Sequence, residues 1–432
     1  MMKFISLTIV ITILSAVSLA QDNEPVSLLL PVALSALETS ARAKTNAIPR
    51  VPLADPHGIK NADALESGNV PNYIRAMAQA SKAAPQYASL VQTYVFGGTV
   101  PPETKMAMGL RIAQLYGSSY LYAQTSRWLR ASIHGRALLA SWDSRRSYSP
   151  SEVKALVYAE RLTNDIHGVT DNDFAETRGA FNDSQIVELT MTVCFFNHFV
   201  RFIEALNLPV EPWVLDDKNP QIPTIESFAV PKARISLVSD KELDAGELAL
   251  ASLKQAQSQP QQQGLGIGIA NSQRAMMRVP DLQAAWRDFG NQNRQTWSIE
   301  RNIQLQISFA VSMANGCRYC TLHQVLGLRR LGVEPKKLLA MKKDDSALTA
   351  RELTAVEFAR KLTKQPTSVT DEDFAKLKKE FGESGAVEAI LQTGGFAFMN
   401  RFTDGLRLPS EDEAVKTYLE IYGEGSLKQY RF

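Results

Sequence analysis

The chain has 432 residues, 45% of them apolar, and a net charge of +2 from 47 basic and 45 acidic side chains. At ~150 residues per domain this is room for two or three packed domains, with the composition of ordinary globular cores. No basic block is long enough to make nucleic acid the main partner, and three cysteines (Cys194, Cys317 and Cys320) are too few for a disulfide scaffold.

Residues 1–20 read as an export signal. Lys3 is the only charge ahead of the apolar run from Phe4 to Leu19, and Ser18 and Ala20 supply the small residues of a cleavage site. The expectation is an exported chain, periplasmic or secreted, whose mature form begins near Gln21. An uncleaved anchor is the other reading, against which Thr8, Thr12 and Ser15 interrupt the run. No Cys follows the cleavage site, so a lipoprotein is not indicated. No later stretch reads as apolar enough to span a bilayer.

Further along, the pattern is helical. Ser149 with Glu152 has capping-box spacing ahead of Val153, Leu156, Val157 and Leu162. Thr170 with Asp173, Thr349 with Glu352, and Thr370 with Asp373 repeat such starts. Strand-like alternation is scarce, which predicts an all-α class.

These starts belong to a repeat. Ala159, Leu162, Thr163, Val169, Thr170, Asp171, Asp173 and Phe174 recur 200 positions later, as do Phe181, Ser184, Val187, Glu188, Arg201, Phe202, Leu206, Leu208, Pro209 and Glu211. Arg75-Ala76-Met77 returns as Arg274-Ala275-Met276 at an offset of 199. The period is too long for a solenoid, so each copy is expected to be a whole domain. The division expected is a first domain over 21–211, a proline-rich linker over 212–235, a second domain over 236–411 and a tail over 412–432. The Gln/Ser/Gly-rich stretch 255–268 reads as a loop within the second domain. Its Gly264-Leu265-Gly266-Ile267-Gly268 run lacks the strand and the Lys-Ser/Thr of a phosphate loop.

The chemistry-bearing segment is Asn315-Gly316-Cys317-Arg318-Tyr319-Cys320-Thr321-Leu322-His323. Ile303 to Met313 reads as a buried helix, Asn315-Gly316 as its stop, and Leu322, Val325, Leu326 and Leu328 as the next helix, ending near Gly332. Cys317 then lies at a helix N-terminus, where free N–H groups and the dipole favour a thiolate. Cys320 and His323 follow one and two turns on, so the imidazole is expected to reach the Cys320 sulfur. A base beside one thiol and a second thiol to resolve its oxidation product suit redox chemistry. Zinc would need a fourth ligand, and His57, His134, His167 and His198 form no cluster in the sequence. Haem attachment would need His where Thr321 stands. A purely structural disulfide stays open. Cys194, between Val193 and Phe195, reads as core, His198 as a core or surface residue, and Trp286 and Trp297 as packing anchors.

The motif Gly316-Cys317-Arg318-Tyr319-Cys320 followed by His323 resembles the AhpD-like, peroxidase-related branch of the carboxymuconolactone decarboxylase family. Phe358 to Leu362, Val369-Thr370-Asp371 and Asn400-Arg401-Phe402 look like the helices that follow it. The resemblance spans roughly 270 to 411 and, in degenerate form, 72 to 211. It implies two tandem compact helical domains, pairing within the chain, and assembly of chains into homo-oligomers. It also implies a peroxide or disulfide substrate, an external thiol reductant, and no metal or other cofactor. By the motif, Cys320 is the attacking thiol, Cys317 the resolving thiol and partner in a Cys317–Cys320 disulfide, and His323 part of the proton relay. The sequence departs from the family where a relay Glu is expected: Leu305 is there, and Glu300 is the nearest upstream carboxylate. Aligning Gly117 with Gly316 puts Ser118, Leu121 and Gln124 at the positions of Cys317, Cys320 and His323, while Tyr120 matches Tyr319. The first copy is therefore expected to do no thiol chemistry and to serve by packing. The alternatives are a non-enzymatic paired scaffold with a structural disulfide and a decarboxylase-type acid–base enzyme.

Overall fold

The computed structural model describes residues 29–59, 69–216 and 269–430. The expected export signal, most of the connector and the Gln-rich stretch lie outside the described residues. Among those described there are α-helices and no strands, as expected. The N-terminal half contributes α1 (Leu34–Ala43), α2 (Asn72–Ala80), α3 (Ala84–Phe96), α4 (Pro102–Tyr116), α5 (Ser119–Arg130), α6 (Ile133–Ala140), α7 (Pro150–Asn164), α8 (Asp171–Arg178) and α9 (Asp183–Ala205). After the short α10 (Pro212–Asp216), the C-terminal half contributes α11 (Asn271–Met276), α12 (Pro280–Thr296), α13 (Arg301–Asn315), α14 (Arg318–Arg330), α15 (Pro335–Lys343), α16 (Ala350–Lys364), α17 (Asp371–Gly405) and α18 (Asp412–Tyr422).

The local signals act where they were read. Capping boxes start α7 at Ser149/Glu152, α8 at Thr170/Asp173, α16 at Thr349/Glu352 and α17 at Thr370/Asp373. Each satisfies end N–H groups that would otherwise lack partners. Where the first half breaks between α8 and α9, α17 is interrupted at Gly382, whose φ of 70° is a left-handed value open to glycine.

Contacts recur with the 200-residue offset. Glu188 accepts the Thr99 N–H at 2.8 Å, and Glu388 accepts the Ser298 N–H at the same distance. Tyr120 donates its hydroxyl to Glu211 at 2.7 Å, and Tyr319 donates to Glu411 at 3.0 Å. One pair differs: Glu188 meets the fully buried Lys105 at 3.0 Å, whereas the corresponding Gln304 turns to the Ile299 carbonyl at 2.7 Å.

The halves meet along α9 and α17. Arg201 donates to the Thr363 carbonyl at 2.7 Å and Arg401 to the Thr163 carbonyl at 3.2 Å, each reaching across to the other half. Both also donate to the Tyr116 hydroxyl at 3.2 Å. Burial alone would raise the Tyr116 phenol, but the two guanidinium groups outweigh it and hold it below its ordinary value.

The structure corrects two boundaries and one further reading of the sequence. Residues 212–216 form α10, with Val214 buried and Trp213 beneath the Arg127 guanidinium at 4.9 Å, so the connector starts later than Pro212. Residues 412–422 are no tail. They form α18, which buries Ala414 and Tyr418 against Leu322, Val325 and Leu326 of α14. Finally, α9 is long and apolar enough to cross a membrane, with a mean hydropathy of 1.4 over its best stretch, although no such stretch was expected after the N-terminus. That stretch is wholly buried in the protein, as suits a helix apolar all round at the centre of a core.

Candidate thiol site

Helix α13 ends in a left-handed turn at Gly316, with φ of 71°. The Gly316 N–H bonds the Met313 carbonyl at 3.1 Å and the Cys317 N–H bonds the Ser312 carbonyl at 2.9 Å, a Schellman ending that fixes the direction of the next helix. Space adds a second constraint on this glycine: a Cβ there would lie 3.3 Å from His167 Cε1.

Cys317 is the N-cap of α14, its sulfur accepting the Cys320 N–H at 3.3 Å. The two sulfurs share a neighbour, since Thr403 Oγ1 of α17 lies 3.4 Å from each. The two sulfurs are not joined to each other here. Cys317 is fully buried and Cys320 is 3% exposed. They pack with Tyr319, Met399 and Leu408, and with Ile166 from the other half.

His323 does not do what its spacing suggested. Its Nε2 lies 2.6 Å from Glu411 Oε2, its Nδ1 lies 2.6 Å from the Tyr319 carbonyl, and its ring stacks on Tyr319 with centroids 4.1 Å apart. Both nitrogens are thus engaged away from the sulfurs. Sharing a helix face brings His323 near Cys320 in sequence register, but a carboxylate from the segment before α18 captures the ring. Burial pushes the Glu411 carboxyl up, but the His323 and Asn271 N–H bonds outweigh it and hold it below the ordinary range.

The carboxylate that does meet a thiol is Asp404, near the end of α17. The Cys317 thiol donates to Asp404 Oδ1 at 3.3 Å, and His167 Nε2 lies 3.0 Å from Asp404 Oδ2. Asp165 Oδ1 stands 3.5 Å from His167 Nδ1. Burial would lower His167, but Asp165 and Asp404 outweigh it and push it up to about 9. Burial raises Asp404 despite His167 and Cys317. Burial also raises the Cys317 thiol, and the Asp404 charge adds to that. Cys317 therefore rests as a protonated thiol, contrary to what its place at the helix N-terminus alone would give.

Sequence reasoning missed Thr403, Asp404 and His167. The repeat carried a faint signal for Asp404, because Glu204 is the acid at the corresponding place. None pointed to His167, whose loop between α7 and α8 reaches the thiols only through packing of the halves. Glu300 is no substitute for the missing relay acid, being engaged by Arg351 at 3.3 Å. Among the other residues singled out, Cys194 is buried in the core, with its thiol raised by burial. His198 is buried against Trp286, Tyr87 and Phe289, and burial lowers it to about 3. Trp286 and Trp297 pack against the core. Among the described residues no three His, Cys, Asp or Glu side chains are placed to hold a metal ion together.

A thiol pair at a helix start, inside an all-helical core, is the class of site that the fold defines. Sequence comparison adds that residues 280–361, from α12 into α16, match the model of the carboxymuconolactone decarboxylase family. Among solved structures, the chain is similar to a variant of the debrominase Bmp8 in complex with 2,3,4-tribromopyrrole, at 21% identity and a TM-score of 0.38, over 44% of this chain and 99% of that one. No curated protein matches the chain.

Proposed function

We propose that the protein is a thiol-dependent oxidoreductase acting on peroxides or disulfides through Cys317 and Cys320, in a compartment outside the cytoplasm. The observation that carries this reading is the placement of both sulfurs 3.4 Å from one hydroxyl, Thr403 Oγ1, at one helix start. Cys320 is the attacking thiol, because it retains some exposure and the Cys317 proton is held by a carboxylate. With a peroxide, the Cys320 sulfur bonds to one oxygen, the O–O bond breaks, and water or an alcohol leaves. The resulting sulfenic acid is attacked by Cys317: the S–S bond forms, the S–O bond breaks and water leaves. An external dithiol then reduces the disulfide by exchange. His323 keeps a supporting place in this scheme, holding Glu411 and Tyr319 behind the helix rather than exchanging a proton with Cys320. In the same reading the two halves are copies of one domain, paired within the chain as subunits pair in an oligomer.

The test is consumption of hydrogen peroxide and of a small aromatic disulfide by the reduced protein, with a dithiol present for turnover. Consumption that vanishes in Cys320→Ser supports the proposal. If neither substrate is consumed faster than by free cysteine, the pair is a structural element instead.

A further inference from the structure

His167 is a titratable group that the N-terminal half places behind the thiols of the C-terminal half. Its ring lies 3.0 Å from Asp404 Oδ2, while the other oxygen of that carboxylate accepts the Cys317 thiol proton at 3.3 Å. The four groups in line, Cys317, Asp404, His167 and Asp165, come from α14, α17 and the α7–α8 loop. The geometry points to a proton relay across the halves, in which Asp404 takes the Cys317 proton as that thiol attacks oxidised Cys320, and His167 is the positioning residue that keeps Asp404 ionised and aimed.

The chemistry of the second step requires such a group. Cys317 is buried without exposure and cannot lose its proton to bulk water. Its sulfur becomes nucleophilic only as the thiolate. The Cys320 N–H helps, since it already points at the Cys317 sulfur at 3.3 Å and would stabilise charge there. A buried carboxylate stays charged only when paired. Asp404 has no cationic residue from its own half at ion-pair distance among the described contacts, and His167 supplies the cation. Asp165 holds the far side of the ring. Ile166, between the two loop residues, packs directly on the cysteines, so the loop is anchored where the relay needs it. The proton balance closes: the proton leaving Cys317 passes to Asp404, the hydroxyl leaving Cys320 gains one proton from Asp404 or from solvent and departs as water, and Asp404 ends as the carboxylate again.

The corresponding place in the other half shows what is special here. There Ser118 donates to Glu204, and the cation beside Glu204 is Lys44 at 2.6 Å. The loop residue matching His167 is Thr367, whose hydroxyl merely bonds the Tyr116 carbonyl at 3.1 Å. A carboxylate, a cation and a crossing loop are present in both places. Only at the cysteines is the cation one that comes from the opposite half.

This inference rests on the thiol reading above, and a single-turnover experiment separates the two. The full-length reduced protein is mixed with one equivalent of hydrogen peroxide, quenched by alkylation at intervals, and analysed by mass spectrometry for the Cys320 sulfenic acid and for the Cys317–Cys320 disulfide. In the parent protein the disulfide is expected to appear without accumulation of sulfenic acid. In Asp404→Asn and His167→Gln the sulfenic acid is expected to form at the parent rate, within about twofold, and to close on the order of tenfold or more slowly, the range of a lost general base. His167→Lys, which restores a cation, is expected to recover part of the closure rate. If closure is unchanged in Asp404→Asn and His167→Gln, the relay is overturned although the thiol reading stands. If the parent protein forms neither species, the thiol reading itself fails. Should His167→Gln not fold, Asp165→Asn provides the same comparison with the ring retained, and unchanged closure there together with unchanged closure in Asp404→Asn also overturns the relay.

Discussion

The starts of α5 and α14 are the two most instructive regions of the molecule to set side by side. Each follows a left-handed glycine, Gly117 or Gly316, that ends the preceding helix. At each, the first residue caps the helix with its own side chain, Ser118 or Cys317. A tyrosine within the first turn donates to a glutamate, Glu211 or Glu411. A helical residue beyond it bonds the same glutamate, through the Gln124 amide at 3.1 Å or the His323 ring at 2.6 Å. The scaffold is thus kept while the chemistry differs: a hydroxyl in place of a thiol, and Leu121 in place of Cys320. What the comparison teaches is that the Tyr–Glu–His arrangement belongs to the scaffold, since it is mirrored where no thiol exists. The part peculiar to the cysteines is Thr403, beside both sulfurs, and the cation His167, which reaches Asp404 from the opposite half.

The sharpest way to break the comparison is to disable each start in turn. Cys320→Ser is expected to reduce turnover of peroxide or disulfide to background, while Ser118→Ala leaves it within about twofold, because no reacting atom is lost in the second case. Steady-state assays on both variants check this. Equal losses would mean that the first site takes part in the chemistry.

The next effect concerns a fully buried ion pair of the first half that the second half lacks. Lys105→Met strands the Glu188 charge in the core and is expected to cost about 3–5 kcal/mol in a denaturant titration. Gln304→Met removes only a neutral donor from the Ile299 carbonyl and should cost about 1–3 kcal/mol. A reversed order would show that the Lys105–Glu188 contact, with both side chains at 0% exposure, is not an ionised pair.

A third comparison is pH-dependent. His167 is raised from 6.5 to about 9 by Asp165 and Asp404 acting against burial, with the Cys317 thiol also facing Asp404. A raised folded-state value means that the stabilisation is complete below pH 6.5 and is lost as pH rises through about 9. The pH-dependent part of the stability difference between the parent and His167→Gln is expected to be ~3 kcal/mol at its largest. Thr367→Val, at the matching position, should show no such window. Melting temperatures between those limits check both, and a flat difference for His167→Gln would refute the charged pairing.

The smallest effect should be the same in both halves. Thr170→Ala and Thr370→Ala each remove a capping box and are expected to cost ~1 kcal/mol apiece. Chemical denaturation of the two single variants measures it, and a large inequality would show that the two helix starts are not equivalent.

Much of the fold was legible in the sequence because its signals are local. Capping boxes, left-handed glycines and helical apolar spacing act within a few residues of themselves, and they operate at Ser149, Thr170, Gly316, Thr349 and Thr370 as read. The thiol pair and its place at a helix N-terminus were equally local. The surroundings of the thiols were not, because partners beyond one or two helical turns are chosen by packing. His323 had the spacing to serve Cys320, yet Glu411, 88 residues away, holds its ring. Asp404 reaches Cys317 from 87 residues away, and His167 arrives from the other half of the chain. The sequence by itself determined the capped helix starts, the stop at Gly316 and the cysteine pair. Only the tertiary structure decided which carboxylate meets which thiol, since desolvation and charge pairing are settled by what the packed core brings within a few ångströms, not by distance along the chain.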